Sequence, residues 1–290
     1  MSGGRVRNYK PGDKIGERHT VLATVDKKPG RHPIYIVWDH AGWCAVACKF
    51  FRSQAKAERE AAMLSELGHP NVVRLFGMGE HANIFIEFVE GPTLARLLDR
   101  QPDGRLSVAN ALRLTIHIGA ALEFMHRKGV LYLDLSASNV IVAPTGRPVL
   151  VDFGAARRTN EERPPNVIGT DPYIAPEECE QQQVVTPAAD IFGLGVLLFE
   201  LLTGELPFPE GSRKKPFPQT GCEPESARDY RPTLPKTLDV LILSCLARDP
   251  KARPSMPQLL TGLHEFIRTG PRMWPAGFQP ESANPSAPLG

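Results

Sequence analysis

Long apolar runs are missing from this 290-residue sequence. The longest, IFGLGVLLFELL from Ile191 to Leu202, is too short to span a bilayer and carries Glu200. Charge excess is missing too: 34 basic against 32 acidic residues leave a formal net charge of +2. That balance excludes a strong electrostatic footprint for nucleic acid or an anionic membrane. Cysteine is scarce, with five residues at positions 44, 48, 179, 222 and 245. An odd, scattered set excludes a disulfide framework and fits a reducing, cytoplasmic setting. Cys44 and Cys48 can share a strand face, but without a nearby His they read as core residues rather than metal ligands. The opening MSGGRVRNYK lacks the apolar centre of a signal peptide. Internal repeats are absent as well.

What is present is a chain that is 42% hydrophobic, enough to bury a large core and to form two lobes. Residues 1–13 read as a loose lead-in, and 269–290 as a tail rich in Pro, Gly, Ser and Ala that is expected to lack packed structure. TVLATV, PIYIVW and WCAVACKFF read as strands, rich in β-branched and aromatic residues. Ser53 is a candidate N-cap for the helix QAKAEREAAMLSEL, with Gly68 as its stop. From about residue 107 the long segments are helical, notably VANALRLTIHIGAALEFMHRK and AADIFGLGVLLFELLTG. The expected class is α+β, a small strand-rich lobe over about 14–86 followed by a larger, mainly helical one over 92–268.

Chemistry concentrates in VLYLDLSASNVIVAPTGRPVLVDFG, residues 130–154. Pro144-Thr145-Gly146 is a turn signal, so 139–143 and 148–152 are expected to form a hairpin. If Ala143 pairs with Pro148, Asn139 lies directly across from Asp152, with Asp134 on the loop just before. An amide oxygen and carboxylates converging in this way suit Mg²⁺, which takes hard oxygen ligands together with phosphate oxygens. The alternative is that Asp134 and Asn139 only cap a loop, and from these residues alone both readings stand. Upstream, Lys49 sits on an apolar strand, where a cation is costly without a partner. Glu60 shares its helical stripe with Met63, Leu64 and Leu67, so it is a candidate partner for Lys49. The other reading has Lys49 snorkelling and Glu60 at the solvated edge of the stripe.

In order along the chain, VACK with Lys49, the helical Glu60, the Asp134-to-Asn139 spacing and DFG at 152–154 resemble the protein kinase signature set. GTDPYIAPE (169–177), DIFGLGVLLFELLTGELPF and DPKARPS resemble the end of an activation segment, the central helix of the larger lobe, and the source of an Arg253 that pairs with Glu177 in this family. HPNVVRLFG and FIEFVEG are similar to the segment after the first helix and to the hinge, taken here as 87–91. The resemblance covers about residues 14–268. It implies a bilobal kinase-like fold with ATP bound between the lobes, Ala47 and Ile86 (the gatekeeper place) against the nucleotide, and Glu87, Phe88 and Val89 in the hinge. It also implies that Lys49, positioned by Glu60, contacts the α- and β-phosphates. Asn139 and Asp152 would hold Mg²⁺, and Asp134 would take or orient the proton of the attacking hydroxyl of a protein substrate.

Three departures from the pattern accompany the match. Where the family usually reads HRDLK, this chain has Tyr132-Leu133-Asp134-Leu135-Ser136, so an Arg that pairs with a phosphorylated activation loop and a Lys that touches the γ-phosphate are both replaced. Between Asp152 and Glu177 the acceptor hydroxyls are Thr159, Thr170 and Tyr173. The glycine-rich phosphate loop is reduced to Gly30 within Asp26-Lys27-Lys28-Pro29-Gly30-Arg31-His32. Its cations either replace backbone donors to the phosphates or simply solvate a hairpin tip. The expected function is an ATP- and Mg²⁺-dependent Ser/Thr protein kinase. The alternatives are a pseudokinase acting as a nucleotide-binding or scaffold module through partner contacts, and a small-molecule kinase, against which GTDPYIAPE and Arg253 weigh; a regulatory protein is a further candidate partner. The basic segment 211–232 reads either as a partner surface or as a solvated loop.

Overall fold

The computed structural model describes residues 8–25, 33–159, 161, 171–180, 185–212 and 216–268. The Lys27, Lys28 and Arg31 tip, Gly169-Thr170 and the tail from 269 lie outside the described residues. The chain divides into two compact units, Met1–Val89 and Glu90–Gly290.

The first unit is built on a six-stranded antiparallel sheet. Its strands are β1 (Lys14–Ile15), β2 (His19–Val25), β3 (Ile34–Asp39), β4 (Cys44–Phe50), β5 (Leu75–Met78) and β6 (Asn83–Glu87), in the spatial order β1-β2-β3-β4-β6-β5. Alternation along β3 sends Tyr35 and Val37 inward, where they meet Val21, Val46, Cys48, Phe50 and Phe85 in one apolar cluster. Helix α1 (Gln54–Ser65) is inserted between β4 and β5. The Ser53 hydroxyl caps it by accepting the Lys56 N–H, and its inward stripe is Ala57, Glu60, Ala61, Met63 and Leu64. The helix ends at Ser65 with Glu66 as its cap, two residues short of Gly68.

The second unit is mainly helical, with α2 (Leu94–Asp99), α3 (Val108–Arg127), α4 (Pro176–Cys179), α5 (Ala188–Thr203), α6 (Ala227–Tyr230), α7 (Lys236–Cys245) and α8 (Met256–Arg268). Two small antiparallel pairs accompany them: β7 (Val130–Leu131) with β10 (Arg157–Arg158), and β8 (Val140–Val142) with β9 (Pro148–Leu150). Helix α5 is apolar on every side and buried from Ala189 to Phe199, so it forms the axis against which α3 and α7 pack. Gly204, at φ +80°, closes α5 by donating its N–H to the Glu200 carbonyl. Among the described residues no helix is long and apolar enough to cross a membrane.

The hairpin register differs from the sequence expectation by one residue. Val142, not Ala143, pairs with Pro148, so Asn139 faces Val151 rather than Asp152. The reason is a tighter loop. The Gly146 N–H bonds to the Ala143 carbonyl, and Gly146 then takes φ +82°, which lets the Ala143 N–H reach the Arg147 carbonyl at 2.9 Å. A type I turn followed by a left-handed residue takes three residues where four had been allowed.

Candidate active site

In the first unit, neighbouring strands bring together several residues singled out from the sequence. Ala47 pairs with Ile86 across β4 and β6, and both are buried. Lys49 lies two residues along β4 from Ala47. Its ammonium donates to Glu60 Oε1 at 2.6 Å and Oε2 at 2.9 Å, from a side chain 13% exposed onto one 4% exposed. Lys49 Nζ also stands 5.2 Å from the centroid of the Phe51 ring. The capped helix α1 thus fixes the carboxylate and the strand fixes the cation. Of the expected hinge residues, Glu87 ends β6 opposite Val46, Phe88 is half-buried and Val89 is buried.

In the second unit, residues 132–139 form a loop between β7 and β8 whose backbone is held from below. Asp190, in the first turn of α5, accepts the Tyr132 N–H at 3.0 Å and the Leu133 N–H at 2.8 Å, and pairs with His126 Nε2 at 2.7 Å. Leu133 sits at φ +62°, a conformation costly for a branched side chain, and the two bonds to Asp190 hold it there. The Tyr132 hydroxyl donates to the Val151 carbonyl, and the Val151 N–H donates to the Asn139 carbonyl at 3.0 Å. Tyr132 also packs edge-to-face on Phe153, with centroids 5.2 Å apart. These contacts draw the end of the loop and the segment leading into Asp152 together, despite the shifted register.

Asn139 is 4% exposed, and its Nδ2 donates to the Asp134 carbonyl and to Asp134 Oδ2, both at 2.8 Å. The amide is thereby fixed with its Nδ2 committed to Asp134, and Oδ1 takes part in neither bond. Asp152 is half-buried at φ +63°, and its Oδ1 accepts the Gly154 N–H at 3.3 Å. Asp134 and Asn139 are therefore in direct contact, and Asp152 follows Val151, whose N–H is bonded to the Asn139 carbonyl. Asp190, His126 and the Tyr132 hydroxyl were not singled out from the sequence. The available signal was a carboxylate at the start of an otherwise apolar helix, which needs buried partners.

The protein kinase domain matches residues 34–267. This chain belongs to the protein kinase family. It is 38% identical over 215 residues to the serine/threonine-protein kinase PkaA of Streptomyces coelicolor, covering 71% of this chain and 38% of that protein. It is 29% identical over 254 residues to the serine/threonine-protein kinase PrkC of Bacillus subtilis, covering 82% of this chain and 39% of that protein. The chain thus spans well under half the length of either relative.

The Arg253–Glu177 pair that the resemblance implies is formed in the second unit. Arg253 makes a bidentate pair with Glu177, Nη1 to Oε1 at 2.7 Å and Nη2 to Oε2 at 2.8 Å. The remaining guanidinium N–H groups go to the carbonyls of Ala188, Ala247 and Arg248. Tyr173, counted from the sequence among the acceptor hydroxyls, is instead a structural residue. Its O–H donates to the Glu200 carboxylate and also accepts the Ala137 N–H at 3.5 Å. Burial and the neighbouring carboxylate push the Tyr173 hydroxyl far above the ordinary phenol range. A hydroxyl so committed is not presented for phosphorylation.

Proposed function

We propose that this kinase-family chain is an ATP-dependent serine/threonine protein kinase, transferring the γ-phosphoryl group to a protein hydroxyl with Mg²⁺. The observation that carries the reading is the fixed Asp134–Asn139 pair, reinforced by the backbone bonds that draw Val151 and Asn139 together. The donor chemistry fits the metal. An amide oxygen outside the Asp134 contact and the half-buried carboxylate of Asp152 are hard oxygen ligands of the kind Mg²⁺ selects. Bound there, Mg²⁺ supplies neutralisation of the charge on the β- and γ-phosphates. Asn139 and Asp152 would hold it, and the loop bonds to Asp190 and Val151 keep their backbone from relaxing away. Asp134 orients the acceptor hydroxyl and takes its proton, and Asn139 Nδ2 fixes the Asp134 carboxylate in place. Lys49, oriented by Glu60, contributes a cation toward the α- and β-phosphates, with Ala47, Ile86, Glu87, Phe88 and Val89 against the rest of the nucleotide.

Phosphoryl transfer asks for positioning and charge neutralisation more than covalent chemistry, so these residues suffice for the reaction in outline. The test is transfer from γ-labelled ATP with Mg²⁺, to the chain itself and to a generic basic acceptor, beside Asp152→Asn. The expected outcome is transfer by the natural sequence and a fall of about 10²–10³-fold in the variant, the order for losing one transition-state electrostatic group. The pseudokinase reading rests on Leu133 and Ser136, which stand where the family usually carries Arg and Lys. Silence in both proteins, with the fold intact, would favour it.

A further inference from the structure

Strand β5 carries two large apolar side chains into solvent, Phe76 at 50% exposure and Met78 at 41%. It is the terminal strand of the six-stranded sheet, so one of its edges has no strand beside it among the described residues. Arg74, just before the strand, joins the same row, with its guanidinium 5.4 Å from the centroid of the Phe76 ring. Between β5 and the end of α1 lies a groove of about 320 Å³, whose lining includes Leu64, Leu67, Gly68, Arg74, Leu75 and Phe76. That volume is at the lower end of those that hold small ligands.

The chemistry of the groove is one-sided. Its lining contains no carboxylate. Glu87 Oε2 accepts the backbone N–H of Arg74 at 3.4 Å, while the exposed guanidinium rests against the Phe76 ring and makes no ion pair among the described residues. Leu64 and Leu67 form a buried floor, and Gly68 leaves the space beside them open: a Cβ at Gly68 would meet no atom within 4 Å. The groove therefore offers apolar surface and a fork of N–H donors, with no negative charge of its own to match them.

We infer that this groove docks a segment of a partner protein, which seats a large apolar side chain between α1 and β5 and places a carboxylate on Arg74. The charges choose among occupants. A second copy meeting this face across a two-fold axis would bring Arg74 to the same carboxylate-free groove and supply no counter-charge. Nor does β5 present an even ladder for pairing with its own copy. Its register with β6 shifts between Leu75 and Gly77, which makes Phe76 the extra residue of a bulge. Recognition thus rests on side chains, through apolar burial against Leu64, Leu67 and Phe76 and a forked guanidinium–carboxylate contact. None of the residues assigned to phosphoryl transfer lines the groove, so this docking stands whether or not the chain is an active kinase.

The test is selection of a displayed library of short random peptides on the full chain. Fluorescence-anisotropy titrations of the enriched peptides then compare the natural sequence, Arg74→Gln and Gly68→Leu. Enriched peptides are expected to share a large apolar residue with an Asp or Glu close by. Gly68→Leu fills the groove from a position with free space around it, and is expected to weaken binding roughly tenfold or more with an unchanged melting temperature. Arg74→Gln is expected to weaken the acidic peptides roughly ten- to a hundredfold, the worth of hydrogen bonds to a charged group, and to leave their Asn or Gln counterparts unaffected. Should Gly68→Leu melt early, Arg74→Gln carries the decision alone. Failure to enrich any peptide, enrichment without a carboxylate, or full binding to Arg74→Gln overturns the inference. So does a natural chain that dimerises in light scattering and becomes monomeric on Phe76→Ala, which assigns the groove to a second copy. Binding of a synthetic peptide of residues 269–290 that is lost in Gly68→Leu assigns it to the chain's own tail, and overturns the inference as well.

Discussion

Two ion pairs, one in each unit, use the same charges for opposite ends. Arg253 is 0% exposed and Glu177 2%, and every guanidinium N–H has an acceptor: two carboxylate oxygens and three backbone carbonyls. Phe192 covers the guanidinium face at 5.0 Å. Lys49 and Glu60 form a smaller pair, with a point charge that keeps 13% of its side chain exposed. The Arg pair ties α4 to the start of α5 and to the chain before α8, and its planar fork is suited to being enclosed. The Lys pair joins β4 to α1 through a point charge and one carboxylate. A fully enclosed, multiply bonded Arg pair and a smaller, slightly exposed Lys pair should therefore respond differently to losing the acid.

Glu177→Ala is expected to have the largest effect on stability. It leaves a guanidinium buried without its counter-charge, and about 3–5 kcal/mol should be lost in denaturant unfolding. Glu60→Gln keeps the shape and one acceptor for Lys49, so about 1 kcal/mol is expected, together with weakened Mg-ATP binding in titration. If Glu60→Gln unfolds as early as Glu177→Ala, or leaves nucleotide affinity intact, the distinction between the two pairs is lost.

A third pair tests the exposed extreme. Arg18, 57% exposed, grips Asp39 with both Nε and Nη2 at 2.5 Å and holds its carboxyl well below the usual carboxylate range. A carboxylate whose folded pKa is depressed stabilises the fold above its ordinary pKa, and that contribution is lost as pH falls through the folded value. Arg18→Ala should raise the Asp39 pKa in NMR titration and shrink the acid-dependent part of the stability. At neutral pH the melting temperature should change less than for either variant above, as surface pairs do. An unmoved Asp39 pKa would show that the Ala41 N–H at 3.0 Å, rather than Arg18, keeps the carboxylate charged.

Glu200 carries the opposite sign. Burial raises its pKa while the Tyr173 O–H lowers it. A raised carboxylate contributes stability at low pH that is lost as pH rises through the folded pKa. The same contact explains why Tyr173 was misread from the sequence: nothing local to GTDPYIAPE announces a carboxylate 27 residues further on.

Much of the architecture could be read directly. Helix α1 with its Ser53 cap, the apolar α5 ending at Gly204, and the pairing of Lys49 with Glu60 all follow from periodicity, capping chemistry and the cost of burying a lone charge. The hairpin at 144–146 was legible as a turn but not in its register. Pro-Thr-Gly permits either a three- or a four-residue loop, and the left-handed Gly146 decides between them only once the strands are paired.

By itself, then, the sequence determined which groups this kinase-family chain possesses and in what order: Lys49, Glu60, Asp134, Asn139 and Asp152, and a serine at 136 in place of a cation. The tertiary structure decided which of their hydrogen-bonding sites are spent. Asn139 Nδ2 goes to Asp134, the Tyr132 hydroxyl to Val151, Asp190 to the loop backbone, and Ser136 Oγ to none of the described residues. Those assignments depend on contacts across as many as 58 residues of separation, as between Tyr132 and Asp190. Periodicity and capping act over a few residues, whereas the satisfaction of a buried polar atom depends on whatever the fold brings beside it.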